Sequence, residues 1–216
     1  LPRGACSGGY SFIMTGCPAT NMLVSTYMKD LMKKTKPSHA YEAIKRNHAP
    51  GGMMSYESAD DLKFYVKKGY CPGNAGKTLE WAFQDWGLSR MALRMGKKSD
   101  AALYEKRSRA WTPLFNKNIG LILPKKENGE WLHTDPLNGQ GWVEANAWQA
   151  TWSVSHDLPK LVELMGGVDA FCEKLNYAFE QARPTDFVHA YSGGYVSYAN
   201  RGALMRICLL MADSHG

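Results

Sequence analysis

Apolar residues along most of the chain recur at steps of three and four, while strict alternation is scarce, so the pattern predicts helices and few strands. Met22, Leu23, Tyr27, Leu31 and Met32 form one such stripe, with Asn21 placed to cap its start. Ala40 to Ile44 reads as a short helix ahead of the Pro50-Gly51-Gly52 break, and Asp60 to Lys68 as another, closed by Gly69. The strongest period runs from Lys77 to Met95. There Leu79, Trp81, Phe83, Trp86, Leu88 and Met91 are apolar on more than one side, which predicts a buried helix, and Gly96 suits its C-terminal cap. Ser99-Asp100 reads as the cap of a helix over Ala101 to Trp111. Residues 113–141 lose the helical period and include the turn signal Asn128-Gly129. Helices over Asn146 to Ser155, Leu158 to Leu164 and Val168 to Ala182 complete the series.

Successive antiparallel helices joined by long irregular loops fit an α/α toroid, a helical bundle or an α-solenoid, and periodicity does not separate them. No repeat and no low-complexity segment divides the chain, whose 216 residues suffice for one domain or two small ones. The net charge of +6 arises from lysines scattered in pairs such as Lys33-Lys34, Lys67-Lys68, Lys97-Lys98 and Lys125-Lys126. Such pairs are solvated surface and give no aromatic-plus-basic reading face, so nucleic acid is not a predicted partner. The five cysteines are widely spaced with no Cys-x-x-Cys pair. That spacing indicates small buried hydrophobes in place of a zinc knuckle or a disulfide framework. No apolar run reaches the ~18 residues of a membrane span, and Leu1-Pro2-Arg3 does not read as a signal peptide.

Chemistry concentrates in Gly141-Trp142-Val143-Glu144-Ala145-Asn146-Ala147-Trp148-Gln149-Ala150-Thr151-Trp152, which places one acid among three tryptophans and two carboxamides, with His156-Asp157 close behind. Indole faces stack on the C–H faces of a pyranose and amides fix its hydroxyls. A carboxyl buried against the rings would keep its proton long enough to act as a general acid. Against this stands a helix-capping or surface glutamate in an aromatic core. Trp148 and Trp152, four apart, share a helical face, which suits a core as well as a sugar platform. His156 suits substrate contact, orientation of a carboxylate, or a satisfied core position.

Several segments carry a family pattern in collinear order. Met14-Thr15-Gly16 resembles a Met-x-Gly turn, Gly69-Tyr70-Cys71-Pro72 a Gly-Tyr-x-Pro loop, and Thr78-Leu79-Glu80-Trp81-Ala82-Phe83-Gln84-Asp85-Trp86 a Thr-Leu-Glu-Tyr-Ala-x-Asp-Asp-Trp helix. Leu114-Phe115-Asn116, Gly120, Pro124-Lys125 and Gly129-Glu130-Trp131 follow. The most specific block is Glu144-Ala145-Asn146-Ala147-Trp148-Gln149 with Trp152, His156-Asp157 and Met165-Gly166-Gly167, in which Ala145 replaces a glycine. Together these resemble glycoside hydrolase family 92, the calcium-dependent exo-acting α-mannosidases.

The resemblance implies an all-α chain forming part of an (α/α)6 toroid, incomplete at both ends, with the partial catalytic domain over residues 1–200. It implies inverting hydrolysis of terminal α-linked mannose, with Glu144 as general acid and Asn146, Trp148, Gln149, Trp152 and His156 contacting mannose-containing glycans. An inverting enzyme needs a second carboxylate about 6.5–9.5 Å away. The family's base and its calcium-site neighbours lie in a motif toward the C-terminus that this chain ends before, so the isolated chain is expected to be inactive. Asp85 and Asp157 each occupy a motif position of their own and are expected to be structural or hydrogen-bonding. No dense Asp/Asn loop is present, so calcium, with a site near Asn200, rests on the resemblance alone. The tail 201–216 departs from the family and reads as a frame-shifted segment, which the codons at Leu204 to Ile207 decide. A secreted, periplasmic or extracellular location is expected for the parent enzyme. The competing reading is a non-catalytic helical glycan-binding or scaffold module.

Overall fold

A computed structural model describes residues 16–52, 54, 59–189 and 192–198, together with the backbone of two short strands, β1 (Ala5–Cys6) and β2 (Gly9–Tyr10), paired antiparallel. The structure is built from helices: α1 (Ala19–Met28), α2 (Pro37–Asn47), α3 (Ala59–Lys68), α4 (Ala75–Arg94), α5 (Lys98–Arg107), α6 (Ala147–Ala150), α7 (Leu158–Met165) and α8 (Val168–Ala182). A second antiparallel pair, β3 (Phe115–Asn116) and β4 (Leu121–Ile122), lies between α5 and α6. Among the described residues no helix is long and apolar enough to cross a membrane. The chain divides into two compact units, Leu1–Cys71 with Lys77–Pro113, and Pro72–Gly76 with Leu114–Gly216.

The first unit is organised on α4. Leu79, Trp81, Ala82, Leu88, Met91 and Ala92 are all buried, as a helix apolar on more than one side requires. Val24, Tyr41, Ile44 and Tyr104 from α1, α2 and α5 close over its C-terminal half. Gly87 permits the approach of α1, because a Cβ there would stand 2.5 Å from Asn21 Oδ1. Asn21 therefore lies inside α1 and faces α4, in place of the capping role its sequence position suggested. The Met22-to-Met32 stripe is likewise interrupted. Asp30 turns the chain at φ 56°, the Leu31 amide bonds Thr26 carbonyl at 2.9 Å, and Arg94 donates to Met28 carbonyl at 2.6 Å, so α1 stops at Met28 and leaves Met22 and Leu31 exposed. Asp100 is another departure: it lies within the first turn of α5 and accepts from Tyr41 Oη at 2.6 Å and Lys45 Nζ at 2.7 Å.

Beneath these apolar contacts lies a buried polar cluster. Asp85 accepts from His48 Nδ1 at 2.8 Å, Tyr65 Oη at 2.9 Å and Arg107 Nε at 2.8 Å. Because a carboxylate only accepts, His48 carries its proton on Nδ1 and Nε2 takes the Thr20 hydroxyl at 3.0 Å. Burial, reinforced by the neighbouring Asp85, lifts the Tyr65 phenol well above its ordinary value, so it stays a donor. Burial works against the Arg107 charge, but Asp85 holds that guanidinium above its usual value. Asp85 is thus the hub that ties α2, α3, α4 and α5 together.

In the second unit the Met165-Gly166-Gly167 motif is a helix corner. Gly166 and Gly167 take φ of 105° and 111°, and the Gly167 amide bonds Val162 carbonyl at 2.9 Å, which ends α7 and starts α8 at once. Leu161 of α7 and Phe171, Ala178 and Ala182 of α8 are buried. Residues 113–141 are irregular apart from the β3–β4 pair, and Asn128-Gly129 is a turn with the Gly129 amide 3.0 Å from Lys126 carbonyl. Thr151 Oγ1 ties the hairpin to α6, accepting from Ile122 N at 3.0 Å and donating to Ala147 carbonyl at 2.7 Å. Cys17 and Cys71 are buried as expected, whereas Cys172 on α8 is exposed.

Candidate active site

The segment that concentrates chemistry begins at a turn. Gly141, at φ 84°, presents its carbonyl to the Ala75 amide at 2.9 Å at the start of α4. The chain then passes through Glu144, a non-glycine residue at φ 52° with an exposed side chain. Asn146 follows in extended backbone and caps α6, its Oδ1 accepting from Gln149 N at 3.1 Å. The helix expected over Asn146 to Ser155 is only Ala147–Ala150, continued by 3-10 turns at Thr151–Ser153 and Ser155–Asp157.

This geometry redistributes the roles read from the sequence. Exposure of Glu144 removes burial against the indoles as the setting of its carboxyl. The two carboxamides are buried and committed to the backbone. Asn146 Nδ2 donates to Ser192 carbonyl at 2.7 Å and Gly194 carbonyl at 2.8 Å, and Gln149 Nε2 to Gly193 carbonyl at 2.6 Å. They hold the Ser192–Gly194 loop.

The tryptophans separate because the helix tightens into a 3-10 turn after Ala150. Trp152 is fully buried with its ring edge-on to Phe171 at 5.4 Å, a core position. Trp148 packs with Tyr177 at 5.5 Å and Tyr195 at 5.2 Å, and Lys174 Nζ sits 5.4 Å from its ring centre. Partial burial first, then the hydrogen bond with Tyr177, raises the Tyr195 phenol, while burial lowers the Lys174 amine. His156 is half-buried in the turn before α7. Buried polar atoms without a hydrogen-bond partner gather along this stretch: Trp142 Nε1, Gln149 Oε1, Trp152 Nε1 and Asp157 Oδ2. Such exceptions to pairing mark places where a further polar group is accommodated.

Among the described residues no three His, Cys, Asp or Glu side chains gather as a metal-ligand set. Asn200 and the tail 201–216 lie outside the described residues. Periodicity also left unread a cleft of about 510 Å³ between the loop 117–120, Trp148 and one face of α8. The spacing of Ala170, Glu173, Lys174 and Tyr177 was the signal for that face.

The glycosyl hydrolase family 92 catalytic domain matches residues 1–208. An uncharacterized secreted glycosidase of Arthroderma benhamiae is 24% identical, over 80% of this chain and 27% of that protein. A family GH92 α-mannosidase of Bacteroides thetaiotaomicron is 25% identical with a TM-score of 0.73, covering 83% of this chain and 24% of the other. A GH92 inverting mannosidase of the same organism is 26% identical with a TM-score of 0.73, covering 96% and 28%. The first of these enzymes is also known in complex with mannoimidazole, in a structure 23% identical to this chain with a TM-score of 0.73, covering 84% and 25%. The chain spans about a quarter of the length of these relatives. GH92 structures have an α/α toroid catalytic domain, and this all-α chain is part of that toroid. From the profile match, the structural likeness and the Glu144-to-Gln149 motif with its glycine corner at Gly166-Gly167, the chain belongs to glycosyl hydrolase family 92.

Proposed function

We propose that the chain is part of an α-mannosidase catalytic domain in which Glu144 is the general acid of inverting hydrolysis, protonating the departing glycosidic oxygen of a terminal α-mannoside. One observation carries this reading. Glu144 is a glutamate held at φ 52°, where a side chain costs on the order of 1–3 kcal/mol, and it stands exposed at the head of the family motif. Gly141 and Asn146 bracket the residue, so the backbone on both sides is fixed. Asn146 and Gln149 support the site by securing the Ser192–Gly194 loop.

The base that activates water comes from the portion of the catalytic domain that this chain does not span, so the chain alone binds ligand without turnover. Calcium, as the family's expected ion, belongs to that same portion. Mannose-containing glycans are the substrate class, and the secreted fungal relative supports an extracellular setting.

Titration with mannoimidazole tests the reading. Its ring nitrogen lies where a glycosidic oxygen would take a proton, so the chain binds it and Glu144→Gln weakens binding at least tenfold. Equal affinity of the two proteins, or release of mannose from an α-mannoside by the chain alone, would overturn the proposal.

A further inference from the structure

The cleft of about 510 Å³ in the second unit lies within the range of roughly 300–1,000 Å³ typical of ligand pockets, and Glu144 does not line it. Its two walls are built independently. One is the four-residue loop between β3 and β4, fixed by Asn116, whose Oδ1 accepts from Asn118 N at 3.0 Å and Ile119 N at 3.2 Å. Its carbonyl accepts from Gly120 N at 2.7 Å. The other is a single face of α8 carrying Ala170, Glu173, Lys174 and Tyr177.

Gly120 joins the walls. It takes φ 72°, and a Cβ there would stand 3.1 Å from Lys174 Nζ, so glycine both makes the turn and admits the lysine against the loop. Lys174 reaches from that contact over the Trp148 ring at 5.4 Å. Trp148 is nearly buried beneath it, whereas Tyr177, packed against it, is 47% exposed and offers an open aromatic surface.

The polar groups around this aromatic surface are of mixed sign. Lys117 and Lys174 donate, Glu173 accepts, and the Asn118 carboxamide does both. Among the described residues neither lysine forms an ion pair with Glu173 or with any other carboxylate. An anionic ligand would meet Glu173 and a cationic one would meet two lysines. A wholly apolar ligand would strip water from all of these groups without replacing its hydrogen bonds. Hydroxyl groups, each a donor and an acceptor, suit all of them, and the C–H face of a pyranose suits the tyrosine ring.

We infer that this cleft, formed by Tyr177 and Trp148 with Lys117, Asn118, Glu173 and Lys174, is a second carbohydrate-binding site that holds a neutral pyranose of a mannoside chain apart from Glu144. The identity of the sugar rests on the α-mannosidase reading; the cleft and its chemistry do not. Sugar bound here anchors a branched or polymeric glycan while its terminal residue is presented elsewhere.

The test is titration of the chain with an α-linked mannotriose, followed by calorimetry, beside a parallel titration with mannoimidazole. Tyr177→Ala and the exposed-site variant Glu173→Ala each weaken mannotriose about tenfold or more, Tyr177→Phe retains it, and the Tyr177-dependent component of binding persists in Glu144→Gln. Circular dichroism spectra that match wild type keep loss of fold from being read as loss of site. Mannotriose affinity unaltered by Tyr177→Ala and Glu173→Ala, or lost with Glu144→Gln, overturns the second site. Absence of any mannotriose binding also overturns it, and leaves the Glu144 reading standing if mannoimidazole still binds. Retained, Tyr177-dependent mannotriose binding with no effect of Glu144→Gln on mannoimidazole supports the cleft and removes the Glu144 reading alone.

Discussion

Asp85→Asn leaves the side-chain volume of the first unit nearly unchanged and removes the negative charge that, among the described residues, pairs with Arg107. The Asp85 side chain is wholly inaccessible, His48 is likewise, and Arg107 is 11% exposed, so water cannot replace what the carboxylate supplied. In the variant an amide nitrogen meets at least one of three donors, His48 Nδ1, Tyr65 Oη and Arg107 Nε. Breaking a buried ion pair by removing one partner costs about 3–5 kcal/mol, because the remaining charge stays buried and uncompensated. Domains have about 5–15 kcal/mol of stability in total, so this single change removes a large part of it. At about 2–4 °C per kcal/mol for a chain of this size, melting falls by roughly 6–20 °C. Urea unfolding followed by far-ultraviolet circular dichroism measures the difference as a lower midpoint at unchanged slope. The double variant Asp85→Leu, Arg107→Met recovers part of the loss, since it buries neither charge. A cost below about 1 kcal/mol for Asp85→Asn, or a double variant less stable than the sum of its parts, would refute the assignment of Asp85 as a charge-paired structural hub.

Two further outcomes follow from single residues. Glu144→Gly relieves the positive φ and raises stability by about 1 kcal/mol while abolishing mannoimidazole binding, so equilibrium unfolding and ligand titration move in opposite directions; a destabilised Glu144→Gly variant would show that the turn is not strained. The hydrogen bond from Lys45, then that from Tyr41, holds the Asp100 carboxyl below its ordinary 3.8. Its contribution is therefore present above about pH 4 and is lost as the pH falls through the lower folded-state value. Lys45 is 39% exposed, which screens the pair, so Asp100→Asn costs at most about 1 kcal/mol at neutral pH and less as the pH approaches 2; a cost that grows on acidification contradicts this.

The sequence makes α4, α7 and α8 readable to within a few residues because each is long or strongly periodic, and glycines mark the ends of α4 and α7. Elsewhere, contacts from distant residues decided the outcome. Arg94, sixty-six positions away, ends α1 at Met28, and nothing within 22–32 announces it. The two carboxamides of the motif are donors in any reading, but only tertiary placement puts the carbonyls of Ser192, Gly193 and Gly194 in front of them. Local pattern likewise could not separate Trp148 from Trp152, since their four-residue spacing assumed a helix that the chain gives up at Thr151.

The Glu144-to-Gln149 motif joins residues with different physical tasks. Four of its six residues, Asn146, Ala147, Trp148 and Gln149, are buried, and the polar ones spend their donors on backbone. What they produce is a short capped helix and a tethered loop, and these hold fixed the turn on which Glu144 stands exposed. An exposed acid on a mobile turn would sample many positions; the same acid anchored by Asn146 on one side and by the Gly141 carbonyl on the other is confined to few. Gln149 Oε1 is still unpartnered in that scaffold, so the tether retains an unused acceptor.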